Sequence, residues 1–199
     1  DRRFKAELPA SQLEIVTPPC ASAPEAVRHL AAGRRDLAAA GDHPQHFHLW
    51  GGMGGAFAMG LGLAIARPER RVVVLTGDGE ALMGLASLAT IAAQRPPNLA
   101  LLVLDNRVYG ETGGQPTATA SGVDLAGIAA AAGFPATLRL ESPDRAETAL
   151  DLLLAAPGPV LVQARVDHRP LPLVLPLKDA VAAKHRLRAA LGVEQERCP

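Results

Sequence analysis

The sequence predicts an α/β fold, a single doubly wound parallel sheet with helices on both faces. Three observations carry that prediction. Short runs rich in Val and Leu alternate along the chain with longer Ala-rich stretches, an order that calls for parallel strands joined by right-handed crossover helices. The runs at residues 72–75 and 99–104 are apolar at every position rather than every second one, as in strands buried on both sides. With 199 residues, 48% of them hydrophobic but only one Trp and one Tyr, the chain is expected to fill the core of one α/β domain and not two.

In chain order, residues 1–12 are polar and mixed and read as a lead-in. The domain is expected over 13–192, with 193–199 as a tail. Residues 13–17 suit a first strand, stopped by Pro18 and Pro19. A helix should start near Ser22, because Ser caps well and Pro24 fits a first turn. Residues 34–40 read as a second short helix and 41–44 as a turn. His46-Phe47-His48-Leu49-Trp50 is expected as a short strand running into Gly51-Gly52-Met53-Gly54-Gly55. That turn leaves a bare backbone against which a flat ring can lie, with one bulky side chain projecting; it would equally suit close helix packing.

Residues 56–66, with Gly60 and Gly62 among them, read as a helix lying close on the sheet, since small residues permit approach at a cost in propensity. After the strand at 72–75 a long helix is expected, then the strand at 99–104. Residues 110–122 form a loop rich in Gly, Thr and Pro, a type that often carries function. Asp124 caps a helix over 125–132 that Gly133 stops. A strand over 136–140, a helix over 143–156 capped by Ser142, and a strand over 159–166 follow. The last helix, over 177–191, carries Lys178, Lys184, His185, Arg186 and Arg188, which read as a solvated face.

Chemistry concentrates in residues 71–115, RVVVLTGDGEALMGLASLATIAAQRPPNLALLVLDNRVYGETGGQ. If the two apolar runs are adjacent parallel strands, Asp78 and Asn106 end side by side at the carboxyl edge of the sheet, where open α/β sheets bind ligands. A carboxylate and an amide carbonyl are hard oxygen donors suited to Mg²⁺, which is usually shared with ligand phosphates. Gly77 and Gly79, flanking Asp78, let backbone N–H groups approach such phosphates.

GDG followed by an Asn that ends an apolar strand resembles the diphosphate and magnesium motif of thiamine diphosphate enzymes. The text LDNRVYGETGGQPTATASGVDLAGIA is similar to the diphosphate-binding half of the sulfopyruvate and phosphonopyruvate decarboxylase family. The resemblance runs from about Phe47 to Val166. It implies a thiamine diphosphate-binding fold with Mg²⁺ held by Asp78, Asn106 and the main-chain carbonyl of Val108. It further implies that Gly79 and Glu80 present N–H groups to the diphosphate, with Gly77, Tyr109 and Gly110 beside it.

In that family the glycine turn binds the aminopyrimidine. The Gly51 carbonyl would accept from the exocyclic amine and the Met53 N–H would donate to a ring nitrogen. Gly52 would line the turn, and the Met53 side chain would wedge the cofactor into its bent shape. Ser22 is either a phosphate contact or only an N-cap. His48, Arg107, Glu111, Thr112 and Gln115 would flank a 2-oxoacid substrate, although His46 and His48 also suit structural roles and Arg107 a surface one. Two positions depart from the family: many relatives have Ser where Glu80 stands, and close relatives have Gly in place of Arg107.

The glutamate that activates the aminopyrimidine comes, in the family, from a separate pyrimidine-binding domain, which is not expected within this chain. A separate alpha subunit carrying that Glu is therefore the expected partner. The implied function is the diphosphate-binding subunit of a 2-oxoacid decarboxylase, inactive alone. A carboligase of acetolactate-synthase type, a 2-oxoacid oxidoreductase subunit and a cofactor-free scaffold subunit remain open.

Other classes fit less well. The 20 basic and 20 acidic residues balance, so nothing steers the chain to nucleic acid. No apolar run approaches the roughly 20 residues of a membrane span, and DRRFKAELPA lacks signal-peptide character. A cytoplasmic location is expected. Cys20 and Cys198 suit unpaired thiols or one disulfide, and without a CxxC pair neither a zinc ribbon nor a Cys-ligated cluster is expected. A dinucleotide fingerprint fails because its third glycine position falls on Phe57 or Leu82.

Overall fold

The computed structural model describes residues 43–49, 52–110, 112–168 and 179–193. The expected strand at 13–17, the helices near Ser22 and over 34–40, and the residues Ser22, Gly51 and Glu111 lie outside them. So do Trp50 and Lys178.

The described chain runs α1 (Ala56–Ala66), β1 (Val72–Gly77), α2 (Asp78–Met83), α3 (Ser87–Gln94), β2 (Leu99–Asp105), β3 (Val108–Tyr109), β4 (Gln115–Pro116), α4 (Leu125–Ala132), β5 (Ala136–Leu140), α5 (Ala146–Leu154), β6 (Val160–Arg165) and α6 (Ala180–Ala190). Four strands form a parallel sheet in the order β1-β2-β6-β5. This is the expected α/β architecture, and the unbroken apolar runs have the expected cause. Val72, Val74, Leu99, Leu101, Val103 and Leu161 face one side, under α1, α3 and α4, with Phe57, Ile91 and Leu125 among the buried contacts. Val73, Ala100, Leu102, Val160 and Val162 face the other, where Ala149 and Leu153 of α5 cover them. The runs of β1 and β2 are thus apolar on both faces because both faces are roofed.

Polar residues at the sheet's far edge tie the layers. Arg71, half-buried, donates to the carbonyls of Leu152, Leu153 and Ala156 at 2.8–2.9 Å. A cation there satisfies the orphan carbonyls at the end of α5 and complements its dipole. The Asn98 side-chain amide lies within 3.0 Å of the carbonyls of Ala64, Arg67 and Arg70, closing the end of α1 onto β2.

Several expectations need correction. Residues 46–49 are not strand. The single long helix after GDG is two, α2 and α3, with Gly84 capping the first, where a Cβ would stand 2.5 Å from the Gly54 carbonyl oxygen. The 110–122 loop contains β4, which pairs back with β3 as a hairpin, and a 3₁₀ turn, Ala118–Ser121. Ser142 does not cap a helix: its hydroxyl bonds Asp144 at 2.9 Å, and a 3₁₀ turn at Pro143–Arg145 precedes α5. By contrast Asp124 does cap α4, accepting from the Gly127 N–H, and Gly133 ends that helix at φ 108°. The charged face of α6 is only partly solvated. Lys184 and His185 are exposed, whereas Arg186 is part-buried and donates to the His46 carbonyl at 3.2 Å.

Candidate cofactor site

The parallel register pairs Gly77 with Leu104, so the next residues, Asp78 and Asp105, leave β1 and β2 side by side at the carboxyl edge. Asp78 opens α2 directly, with Gly77 as an extended N-cap. Its carboxylate is 1% exposed, far more enclosed than a residue at a strand end need be. The enclosure comes from the β3–β4 hairpin, which returns the chain so that Thr117 and Thr119 reach Asp78. The Thr117 hydroxyl donates to Oδ2, and the Thr119 hydroxyl, whose one proton serves either this oxygen or Asp105, lies 3.0 Å from it.

Thr119 also lies 2.7 Å from Asp105 Oδ1, joining two buried carboxylates through one hydroxyl. Asp105 is held further by the Gln163 side-chain amide at 2.7 Å and by the Arg165 guanidinium at 3.1 Å. Gln163 accepts in turn from the Ala126 N–H at the start of α4. These residues were not among the sequence candidates. Asp105 stood next to one, and Thr117 and Thr119 lay inside the motif without an assigned role.

Replacing Thr119 by Val should destabilise the fold by about 2 kcal/mol, because buried acceptors left unsatisfied cost roughly 1–3 kcal/mol. Thr119→Ser should retain most of that stability. Urea unfolding of the two variants checks it; a loss in Thr119→Ser as large as that in Thr119→Val would show that the methyl group contributes as much as the hydroxyl, and an unchanged stability in Thr119→Val would remove the hydroxyl's role.

Burial raises the Asp78 carboxyl above its ordinary range; the Thr117 hydroxyl opposes that shift, Asp105 adds to it and Thr119 opposes it. A second carboxylate nearby makes the negative charge costly unless a cation offsets it. The Asn106 carbonyl Oδ1 accepts from the Val108 N–H at 3.0 Å, which folds the chain back at the end of β2. Arg107, between them, has φ 65°. That left-handed conformation is one glycine adopts freely, so the Gly of close relatives suits this position and Arg107 holds it at a conformational cost. The Arg107 side chain is exposed.

The Tyr109 ring covers the turn after Asp78: a Cβ on Gly79 would lie 2.6 Å from it, so only glycine leaves that backbone bare. Opposite, the Gly52–Gly55 turn puts Gly54 at φ 86° against the Met83–Gly84 backbone. The two glycine turns are therefore neighbours. Met53, Met59 and Met83, all three methionines of the chain, are 38%, 37% and 63% exposed around them.

Not every sequence candidate joins this cluster. Thr112 and Gln115 are exposed and bond each other at the hairpin, Oγ1 to Oε1 at 3.1 Å. His46 is buried and His48 half-buried, with ring centroids 6.3 Å apart. Gly110 is exposed beside His168. Among the described residues no group of three or more His, Cys, Asp or Glu is arranged to hold a metal ion. A cation bound here would rely on one carboxylate, neutral oxygens and its own ligand's phosphates, the preference of Mg²⁺. The single acidic ligand, the neutral carbonyls and the bare Gly79 backbone fit such a pair.

Residues 35–164 match the family model of the thiamine pyrophosphate enzyme C-terminal TPP binding domain. The chain belongs to this family. It is 50% identical over 128 residues to a phosphonopyruvate decarboxylase of Streptomyces hygroscopicus, covering 64% of this chain and 31% of that protein. It is 51% identical over 100 residues to a sulfopyruvate decarboxylase subunit beta of Methanothermobacter thermautotrophicus, covering 50% of this chain and 53% of the relative. The chain thus matches a third to a half of these relatives' length. Among solved structures it superposes on a Rhodococcus jostii RHA1 thiamine diphosphate-dependent 4-hydroxybenzoylformate decarboxylase with TM-score 0.51 at 25% identity, over 60% of this chain and 24% of that one. Among the described residues no helix is long and apolar enough to cross a membrane.

Proposed function

We propose that this chain is the diphosphate-binding subunit of a thiamine diphosphate-dependent 2-oxoacid decarboxylase acting on a sulfopyruvate- or phosphonopyruvate-like substrate. The observation that carries the reading is the buried Asp78 carboxylate at the carboxyl edge, followed by Gly79, at which a Cβ would meet the Tyr109 ring. Similarity to a subunit beta supports the two-chain arrangement.

Asp78, the Asn106 side-chain carbonyl and the Val108 main-chain carbonyl would hold Mg²⁺, and the N–H groups of Gly79 and Glu80 would meet the diphosphate. Thr117 and Thr119 occupy Asp78 Oδ2 and so orient the carboxylate before any cation arrives. Tyr109 roofs the turn. Gly51, Gly52 and Met53 would take the aminopyrimidine, and Ser22 a phosphate oxygen. His48, Arg107, Glu111, Thr112 and Gln115 remain proposals for the substrate side, of which Arg107 is best suited to an anionic group. When bound, thiamine diphosphate supplies the electron sink for decarboxylation, and the protein supplies position and exclusion of water.

Calorimetry tests the reading directly. The purified chain should bind thiamine diphosphate with Mg²⁺ and not with EDTA. Absence of binding under both conditions, with a pyrimidine-binding subunit also present, would favour a cofactor-free scaffold.

A further inference from the structure

We infer that Glu80 is a positioning residue that fixes the separation of the two glycine turns through a buried carboxylate. The side chain is 2% exposed and buried between elements. Oε1 accepts from the Ala56 N–H at 2.9 Å, and Oε2 accepts from the Thr76 hydroxyl at 2.7 Å. Ala56 is the first residue of α1, and the N-cap before it, Gly55, has no side chain with which to cap.

The N–H that a local Ser or Asp would ordinarily satisfy is met instead from 24 residues along the chain. The carboxylate is also well placed electrically, since negative charge is favourable at a helix N-terminus and charge-assisted bonds are the strong ones. Three elements, β1, α2 and α1, are thus joined by one side chain. A Ser at this position is too short to span the gap, and Asp would fall one methylene short of Ala56.

The joined elements are those that carry the turns. Gly52–Gly55 leads into α1, while Asp78 and Gly79 open α2. A second contact between the same elements is steric, the Gly84 backbone against Gly54. Resting on the proposed function, this means that Glu80 presets the distance between the pyrimidine turn and the diphosphate turn. A ligand occupying both then loses less freedom on binding than one that meets a loose turn. A ligand that uses only the diphosphate turn gains nothing from Glu80.

The experiment compares two probes by calorimetry in the presence of Mg²⁺, thiamine diphosphate and inorganic diphosphate, on the full chain and its Glu80→Gln and Glu80→Ala variants. The wild type should prefer thiamine diphosphate. Glu80→Ala should lower that preference about tenfold or more, with inorganic diphosphate bound within about threefold of wild type. Glu80→Gln keeps the shape, so it secures the test if the alanine variant does not fold. Its amide offers one acceptor for two donors, and the preference should fall severalfold. Unchanged preference in Glu80→Gln, or equal loss of both probes, would overturn the positioning role. A wild type that binds neither probe, with a pyrimidine-binding subunit also present, would instead remove the functional reading beneath it.

Discussion

Asp78→Ala is expected to lower the Mg²⁺-dependent affinity for thiamine diphosphate about 100-fold or more, since losing one partner of a buried charged contact costs roughly 2–5 kcal/mol and 1.4 kcal/mol is a factor of ten. The fold should survive. Asp78 is buried at some cost, as its raised carboxyl indicates, and its removal relieves that cost and the nearby repulsion from Asp105. The hydroxyls left behind are not stranded, because Thr117 and Thr119 already lie 2.9 Å apart and Thr119 keeps Asp105. Asn106→Ala should act in the same direction more mildly, a water replacing a neutral oxygen. Calorimetry with circular dichroism on the same samples separates binding from folding. Wild-type affinity in Asp78→Ala would remove the metal assignment, and a collapsed spectrum would show that the carboxylate is needed for structure.

The edge of the sheet was legible in the sequence because backbone rules write it. Two uninterrupted apolar runs imply neighbouring buried strands, and whatever ends them meets at one edge; the register sets Asp78 opposite Asp105 and not, as expected, opposite Asn106, which follows one residue later. The shell around Asp78 was not legible. Thr117 and Gln163 are 39 and 58 residues from the carboxylates they bond, and only the hairpin and the β2–β6 pairing bring them there. Composition gives no hint of such contacts. Arg107 could be marked as a departure, but its meaning needed a backbone angle. The split between α2 and α3 was equally hidden, since hydrophobic periodicity does not register the close approach of one backbone, Gly54, to another, Gly84. Glu80 stood out in the sequence only as a departure from the Ser of many relatives, and the direction of its side chain was not readable there. Its contacts with Ala56 and Thr76 hold the charge buried between elements.

The purified chain alone is expected to release no CO₂ from any 2-oxoacid, and to do so when combined with a pyrimidine-binding subunit. The acids near the two glycine turns among the described residues are Asp78, Glu80 and Asp105, and each already has hydrogen-bond partners and is no more than 2% exposed. None is free to reach a cofactor ring lying over the Gly52–Gly55 turn. The activating carboxylate must then come from elsewhere, and the exposed Met53, Met59 and Met83 around the turns offer apolar surface for a partner to cover. The direct assay mixes chain, Mg²⁺ and thiamine diphosphate with a panel of 2-oxoacids, sulfopyruvate and phosphonopyruvate included, and follows CO₂. The same panel is then repeated with an added pyrimidine-binding subunit. Activity should appear only in the second series, and light scattering should report a hetero-oligomer. Robust turnover by the chain alone would overturn the split site and direct attention to Glu111, the hairpin acid outside the described residues.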